Sequence, residues 1–275
     1  MIRQLTAKDH EQVLPFLQKE PSKNLYIIGD IEIYGYQQDF QELWGEWDRE
    51  GNVSAVLLRF YDFFILYGKT GYNAKGMVEI MDRHKHLMIS GAGEVLDELD
   101  PYLPLNKYQR IDTYFSECTK NTINESDHQA LVGKIKKATI QDVERIIKLE
   151  DQIVDFGVSE NTSSEREAWL RKNLEAKTSR VYYIEEEGEM VSKVSTNGEN
   201  SVSAMIVNVC TLPKYRKQGY LSVLLAKTVA DLLQEKETVC LFYDNPEAGK
   251  IYQKIGFKET GTWRMYNKLS ESNEM

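Results

Sequence analysis

Residues Leu212 to Tyr220 read Leu-Pro-Lys-Tyr-Arg-Lys-Gln-Gly-Tyr. They stand between an apolar run, Val202 to Thr211, and a stretch, Leu221 to Glu235, whose apolar positions Leu221, Leu224, Leu225, Val229, Leu232 and Leu233 share one helical face. A strand that passes through a glycine turn into a helix N-terminus is a general anion site. Unpaired backbone N–H groups and the positive end of the helix dipole face the ligand there. Lys214, Arg216 and Lys217 add positive charge at the same place. The chemistry these residues offer is phosphate binding, with a plain structural turn as the competing reading. Further on, Asn245-Pro246 suits a helix start, with Asn as the cap and Pro at the first helical position. Tyr252 follows seven residues later, two helical turns, so it projects from the same face roughly 10 Å along the axis.

The elements that must position these groups are readable from pattern. Val181 to Glu186 and Met190 to Ser195, joined at Glu187-Gly188-Glu189, predict a hairpin, and Asn197-Gly198 predicts the turn into a third strand, Val202 to Thr211. Val239 to Tyr243 predicts a fourth. Nearer the N-terminus, the apolar and aromatic run Asn52 to Tyr67 follows Glu50-Gly51-Asn52, which predicts a hairpin turn and a buried strand. Ile2 to Leu14 is echoed by Ile135 to Ile147 at a constant offset of 133 residues. Both copies read as a short strand, a Thr cap with Asp three residues on, and an amphipathic helix. Ile, Thr, Asp and Glu recur identically, which favours a duplicated domain over a chance likeness of two strand–cap–helix units. Cys118 to Gln129 is polar and almost free of apolar residues, and so predicts a linker or long surface connection. Two domains are expected, residues 1–128 and 129–275.

Composition narrows the function classes. With no apolar run near the ~18 residues that a bilayer span needs, a membrane protein is not expected. The charged N-terminal segment lacks the apolar core of a secretory signal, so a cytoplasmic location is expected. A net charge of −9 argues against a nucleic-acid partner, which would want clustered Lys and Arg in excess. Cys118, Cys210 and Cys240 are odd in number and lack metal-ligand spacing, so they read as buried, reduced thiols and no metal is expected.

Val209 to Leu221 resembles the acetyl-CoA signature of the GNAT (Gcn5-related) N-acetyltransferases, a strand followed by Arg/Gln-x-x-Gly-x-Gly/Ala. The second signature follows in order: a strand, then Asn245-Pro246-Glu247-Ala248, Tyr252 and Gly256-Phe257. The resemblance implies an α/β (α+β) fold of tandem GNAT-like domains, each a mixed, mostly antiparallel sheet flanked by helices, with a degenerate N-terminal copy. It implies acetyl-CoA as cosubstrate and direct attack by a primary amine of a small molecule or peptide. Val209, Cys210 and Thr211 would lie along the pantetheine arm, with backbone groups of Val209 and Thr211 pairing to it as to an extra strand. Arg216, Lys217, Gln218, Gly219, Tyr220, Leu221 and Ser222 would form the pyrophosphate cradle. Asn245 would touch the arm, and Tyr252 stands where the family keeps the acid that protonates the leaving thiolate; a packing tyrosine is the alternative. Leu221 departs from the family's Gly or Ala, and its register with Leu224 and Leu225 predicts that its side chain enters the core.

The general base is not legible, because Val202 to Thr211 carries no carboxylate. Glu150, Asp151 and Asp155 are candidate substrate-side acids, with a solvated helix end as the competing reading. Cys210 as an acyl-carrying nucleophile is disfavoured. His84 and His86 read as surface residues. Ser90-Gly91-Ala92-Gly93 weakly resembles a dinucleotide turn and more closely the end of a strand before a helix, Glu94 to Tyr102. The N-terminal copy lacks the Arg-x-x-Gly pattern and is not expected to bind CoA. A non-catalytic CoA-binding module, or an enzyme of the glycine N-acyltransferase type using a longer acyl-CoA, remain as alternatives, and a homodimer is left open.

Overall fold

The computed structural model describes residues 1–122, 129–154 and 162–269. In chain order the first half contains β1 (Ile2–Gln4), α1 (His10–Leu17), α2 (Leu25–Tyr34), β2 (Gln37–Gln38), β3 (Gln41–Trp47), β4 (Val53–Phe60), β5 (Phe63–Gly68), α3 (Ala74–Met81), β6 (Met88–Ala92), α4 (Gly93–Leu96) and β7 (Tyr108–Cys118). The second contains α5 (Gln129–Val132), β8 (Ile135–Lys137), α6 (Val143–Glu150), α7 (Ser163–Glu175), β9 (Val181–Glu186), β10 (Glu189–Glu199), β11 (Ser203–Thr211), α8 (Tyr220–Leu232), β12 (Thr238–Tyr243), α9 (Pro246–Ile255) and β13 (Lys258–Lys268).

The chain divides into two compact units. One comprises Met1–Ser116, Phe242–Asp244 and the chain from Glu259 onward; the other comprises Glu117–Leu241 and Asn245–Lys258. This differs from the expected division into 1–128 and 129–275 in two respects. The boundary falls at Glu117, and the last strand belongs with the first unit. The physical reason is packing: β13 pairs antiparallel with β6, Tyr266 enters the first unit's core at 1% exposure, and the buried Arg264 is ion-paired to Asp97 and Asp112.

Both units use the same strand logic. In the first, β1, β3, β4 and β5 pair antiparallel in that order, and β5 then pairs parallel with β6. In the second, β8, β9, β10 and β11 pair antiparallel, and β11 pairs parallel with β12. The 133-residue echo falls on matching elements: β1 on β8, and α1 on α6. In each copy the Asp carboxylate accepts the backbone N–H of the capping Thr at 2.9 Å, Asp9 from Thr6 and Asp142 from Thr139. Period-2 alternation splits the first unit's core between two faces. Ala55 and Leu57 pack with Met77 and Met81, whereas Val56 and Leu58 pack with Val13, Ile27 and Ile28.

Several local expectations need correction. The run Asn52 to Tyr67 is two strands, because Tyr61 adopts φ +50° and turns the chain between β4 and β5. Asn197-Gly198 is no turn: it lies inside β10, where Gly198 (φ +78°) sits in a bulge between Thr196 and Glu199. The turn between β9 and β10 is Glu187-Gly188, whose two left-handed residues match a hairpin turn that follows strand twist. Ser90, Gly91 and Ala92 are strand residues, and Gly91 is needed because a Cβ there would lie 2.5 Å from the Leu66 carbonyl oxygen of the neighbouring strand. The expected helix Glu94 to Tyr102 is shorter and broken, α4 followed by a 3₁₀ turn at Asp97–Leu99. His86 is buried at 2% exposure, its Nε2 2.7 Å from the Tyr108 hydroxyl, and His84 is half-buried.

Candidate active site

The site is built on β11, which bulges against β10 and runs on past its register with β12. Its register with β10 runs Thr211 opposite Ser192 and Cys210 opposite Lys193, and then Val207 opposite Ser195. Three steps on β11 therefore face two on β10, a bulge that coincides with Asn208 in the left-handed region at φ +49°. On the other side, the parallel register with β12 spans Ser203–Met205 opposite Thr238–Cys240, while β11 continues to Thr211. Val209, Cys210 and Thr211 thus form an extended segment beyond that register, the geometry into which an amide-bearing chain can add as a strand. The Thr211 carbonyl oxygen accepts the Nε–H of Arg216 at 3.1 Å, and that of Cys210 accepts the Ser192 hydroxyl at 3.0 Å.

The strand delivers the chain into the glycine loop. After a 3₁₀ turn at Pro213–Tyr215, Arg216 is extended, Lys217 is left-handed at φ +64°, and Gly219, at φ +86°, is the N-cap of α8. Among the described residues only one side-chain atom, 3.9 Å away on Leu131, comes near the position of a Gly219 Cβ, so conformation rather than crowding demands the glycine. The loop's backbone N–H groups from Gln218 through Ser222 precede the first α8 bond, Val223 N–H to Gly219 O at 3.1 Å. They are the donors a helix start leaves for an anion. Arg216, Lys217, Gln218 and Gly219 are exposed. The positive patch is smaller than expected, because Lys214 is ion-paired to Glu189 at 2.7 Å. Leu221 and Leu233 are half-buried instead of entering the core with Leu224, Leu225, Val229 and Leu232.

The next helix carries the second group of expected residues. The Asn245 Oδ1 accepts the Glu247 N–H at 2.9 Å, capping α9, and Pro246 takes the first helical position. Tyr252 lies on the buried face of α9 at 8% exposure, edge-on to Phe257 with ring centroids 6.0 Å apart. Cys210 is 4% exposed, and burial pushes its thiol up to about 11, so it stays protonated near neutral pH and is a poor nucleophile.

Beside the bulge lies a cavity of about 460 Å³ whose lining includes Val207 and Asn208 of β11, Ile147 and Glu150 of α6, and Glu165, Arg166, Trp169 and Leu170 of α7. Glu150 Oε1 is 2.6 Å from the ammonium of Lys193, a β10 residue with 1% of its side chain exposed, and that ammonium also donates to Ser195 Oγ at 3.0 Å. Asp151 is ion-paired to Arg166, and Asp155 lies outside the described residues.

Residues 134–260 match the family model of the acetyltransferase (GNAT) domain. Residues 134–260 form a GNAT domain. A search of curated proteins finds no match. Among solved structures, the chain is similar to a GCN5-related N-acetyltransferase-like protein from Streptococcus suis, at 14% identity and TM-score 0.58, covering 96% of this chain and 100% of that one. It is also similar to a Drosophila protein at 11% identity and TM-score 0.65, covering 97% and 98%. A tandem GNAT protein from the clavulanic acid biosynthesis pathway matches at 12% identity and TM-score 0.55, covering 97% of each chain. At these identities the likeness is one of fold, and the fold is that of tandem GNAT domains.

The first unit repeats the GNAT topology but fills its own anion position. The loop before α3 offers the N–H of Gly71 to the Glu98 carboxylate at 2.8 and 3.0 Å and that of Asn73 to Glu46 at 2.9 Å. The Asn73 side chain caps α3 by accepting from Gly76 N–H at 3.0 Å. Protein carboxylates thus accept from the N–H groups of the loop that corresponds to the one before α8. Among the described residues no group of three or more His, Cys, Asp or Glu is placed to hold a metal, and no helix is long and apolar enough to cross a membrane.

Lys193, Arg166 and Trp169 were not identified by motif. Lys193 had a signal: a lone charge in the otherwise apolar and small run Met190 to Ser195, which in a buried strand demands a partner. Its removal tests that partnership. Lys193→Met should destabilise the protein by about 3–5 kcal/mol, because it strands Glu150, and Lys193→Met/Glu150→Gln should recover part of the loss. Denaturant unfolding of the two variants checks this; a single variant as stable as wild type would contradict it.

Proposed function

We propose that the second unit transfers an acetyl group from acetyl-CoA to a primary amine of a small molecule or peptide. The observation that carries this reading is the bulged, laterally open end of β11 running directly into the left-handed loop at the α8 N-terminus. One feature suits an extended amide chain and the other a pyrophosphate, and they are contiguous. When bound, acetyl-CoA supplies an activated acyl group. Val209 and Thr211 would align its arm, the N–H groups from Lys217 to Ser222 would hold its phosphates, and Asn245 would touch the arm while capping α9. In the transfer, the N–C bond forms as the C–S bond breaks. Tyr252 gives its proton to the departing sulfur, and the proton surplus on the amine leaves to solvent. The cavity beside the bulge is the acceptor site, with Glu150 on its substrate side.

Acetyl-CoA should raise the melting temperature, and NAD and ATP should not, because a ligand that binds only the folded state stabilises it by mass action, by about 2.7 kcal/mol at a hundred times its Kd. A thermal-shift series reads this directly. Equal shifts with NAD would remove the basis for a CoA site.

A further inference from the structure

The cavity beside the bulge has a charge and shape that select among amines. Glu150 uses Oε1 for Lys193, while its Oε2 makes no hydrogen bond among the described residues and lies 3.9 Å from Arg166 Nη1. Arg166 is turned toward Asp151, and its Nε–H is buried without a hydrogen-bond partner among the described residues. Glu165 accepts both the N–H and the hydroxyl of Thr162 at 2.8 Å, which holds it at the start of α7. Among the described residues the charged members of the lining are two acids, Glu150 and Glu165, and one cation, Arg166, which is ion-paired to Asp151 outside the lining. The rest of the lining mixes apolar Ile147, Leu170 and Val207 with serine, threonine and asparagine side chains, and Trp169, one turn along α7 from Arg166, is 51% exposed, an indole left half open on a helix whose one buried side chain is its neighbour Leu170.

We propose that this cavity selects a primary amine borne on a ring-containing, apolar body with no acid group beside the amine. Its ammonium docks at Glu150 Oε2 before losing a proton for attack, and its ring stacks on Trp169. A surplus of negative charge attracts an ammonium and repels a carboxylate, and an exposed indole gives ring and cation contacts that an aliphatic surface does not. The cavity's volume, about 460 Å³, suits a small molecule of this kind. This selection rests on the acetyl-transfer reading for its consequence in turnover, but amine binding can be measured without it.

The test uses the full chain and the matched probes 2-phenylethylamine and phenylalanine, which share ring and amine and differ by the carboxylate. With acetyl-CoA, kcat/KM for 2-phenylethylamine should exceed that for phenylalanine by roughly 10-fold or more, the scale of one unfavourable charge contact. Trp169→Ala should raise KM for 2-phenylethylamine by roughly 10-fold, the loss of a stacking contact, and leave KM for acetyl-CoA alone. Calorimetric titration of both probes without acetyl-CoA should show the same order, and Lys193→Met/Glu150→Gln, which removes the buried pair together, should erase it. Equal or inverted preference, or a Trp169→Ala variant with unchanged amine affinity, would overturn the proposal. Trp169-dependent amine binding without turnover would uphold the selection and instead sink the transfer reading.

Discussion

Tyr252→Phe should lower kcat by roughly 10²- to 10⁴-fold while leaving acetyl-CoA affinity and stability close to wild type, the range that general acid catalysis contributes. The substitution removes one hydroxyl and keeps the ring, which is what packs edge-on to Phe257 and fills the buried face of α9. A packing role would therefore survive it. A thiol leaves with a pKa near 8.5 and a tyrosine hydroxyl sits near 10, so proton donation matters most as negative charge builds on sulfur. The loss should shrink with an acyl donor whose thiol is more acidic, because that thiolate needs the proton less. Steady-state kinetics with two such donors reads both effects. Full kcat with an unchanged leaving-group dependence would make Tyr252 a core residue and no more.

Gly219→Glu should weaken acetyl-CoA binding by roughly 10²-fold or more, since like charges brought together in a binding site cost several kcal/mol. The protein should still fold. Among the described residues a Cβ at Gly219 meets only Leu131, 3.9 Å away, and the cost is the left-handed backbone at φ +86°, about 1–2 kcal/mol for a residue other than glycine. Gly219→Ala carries that same strain without the charge, so the difference between the two variants isolates the electrostatic effect. The first unit already shows the arrangement in miniature: Glu98 sits on the Gly71 N–H and occupies the position an anion would take. Calorimetry with acetyl-CoA checks the prediction, and unchanged affinity in Gly219→Glu would mean the pyrophosphate lies elsewhere.

What the sequence disclosed depends on the length scale of the forces involved. Hairpins and caps are set by a few adjacent residues, so Glu187-Gly188, the Thr139–Asp142 cap and Asn245-Pro246 were all readable, as was the 133-residue repeat. Asn197-Gly198 misled because the same dipeptide that makes a turn also relieves a bulge, and the choice is made by the neighbouring strand's register. The glycine loop and the α9 cap were legible for the same local reason. The bulge at Asn208 was not, since no local rule places an asparagine at φ +49° within an apolar strand. Nor were Trp169 and Glu150 as parts of one cavity, because α6 and α7 meet β11 there only through tertiary packing. The placement of β13 in the first unit belongs to the same class: Tyr266 and Arg264 find their partners more than 150 residues back along the chain.

The central claim, transfer of acetyl from CoA to an amine at the β11–α8 site, is tested most directly by following free thiol and acetylated product together. The protein would be mixed with acetyl-CoA and a panel of primary amines, with mass detection of the amide. One CoA thiol should appear for each amide formed, only when both substrates are present, and both signals should fall together in Gly219→Glu. Acetyl-CoA that binds in a Gly219-dependent way yet yields no amide from any amine, with thiol release no faster than hydrolysis, would contradict the claim and leave a CoA-binding module without catalysis.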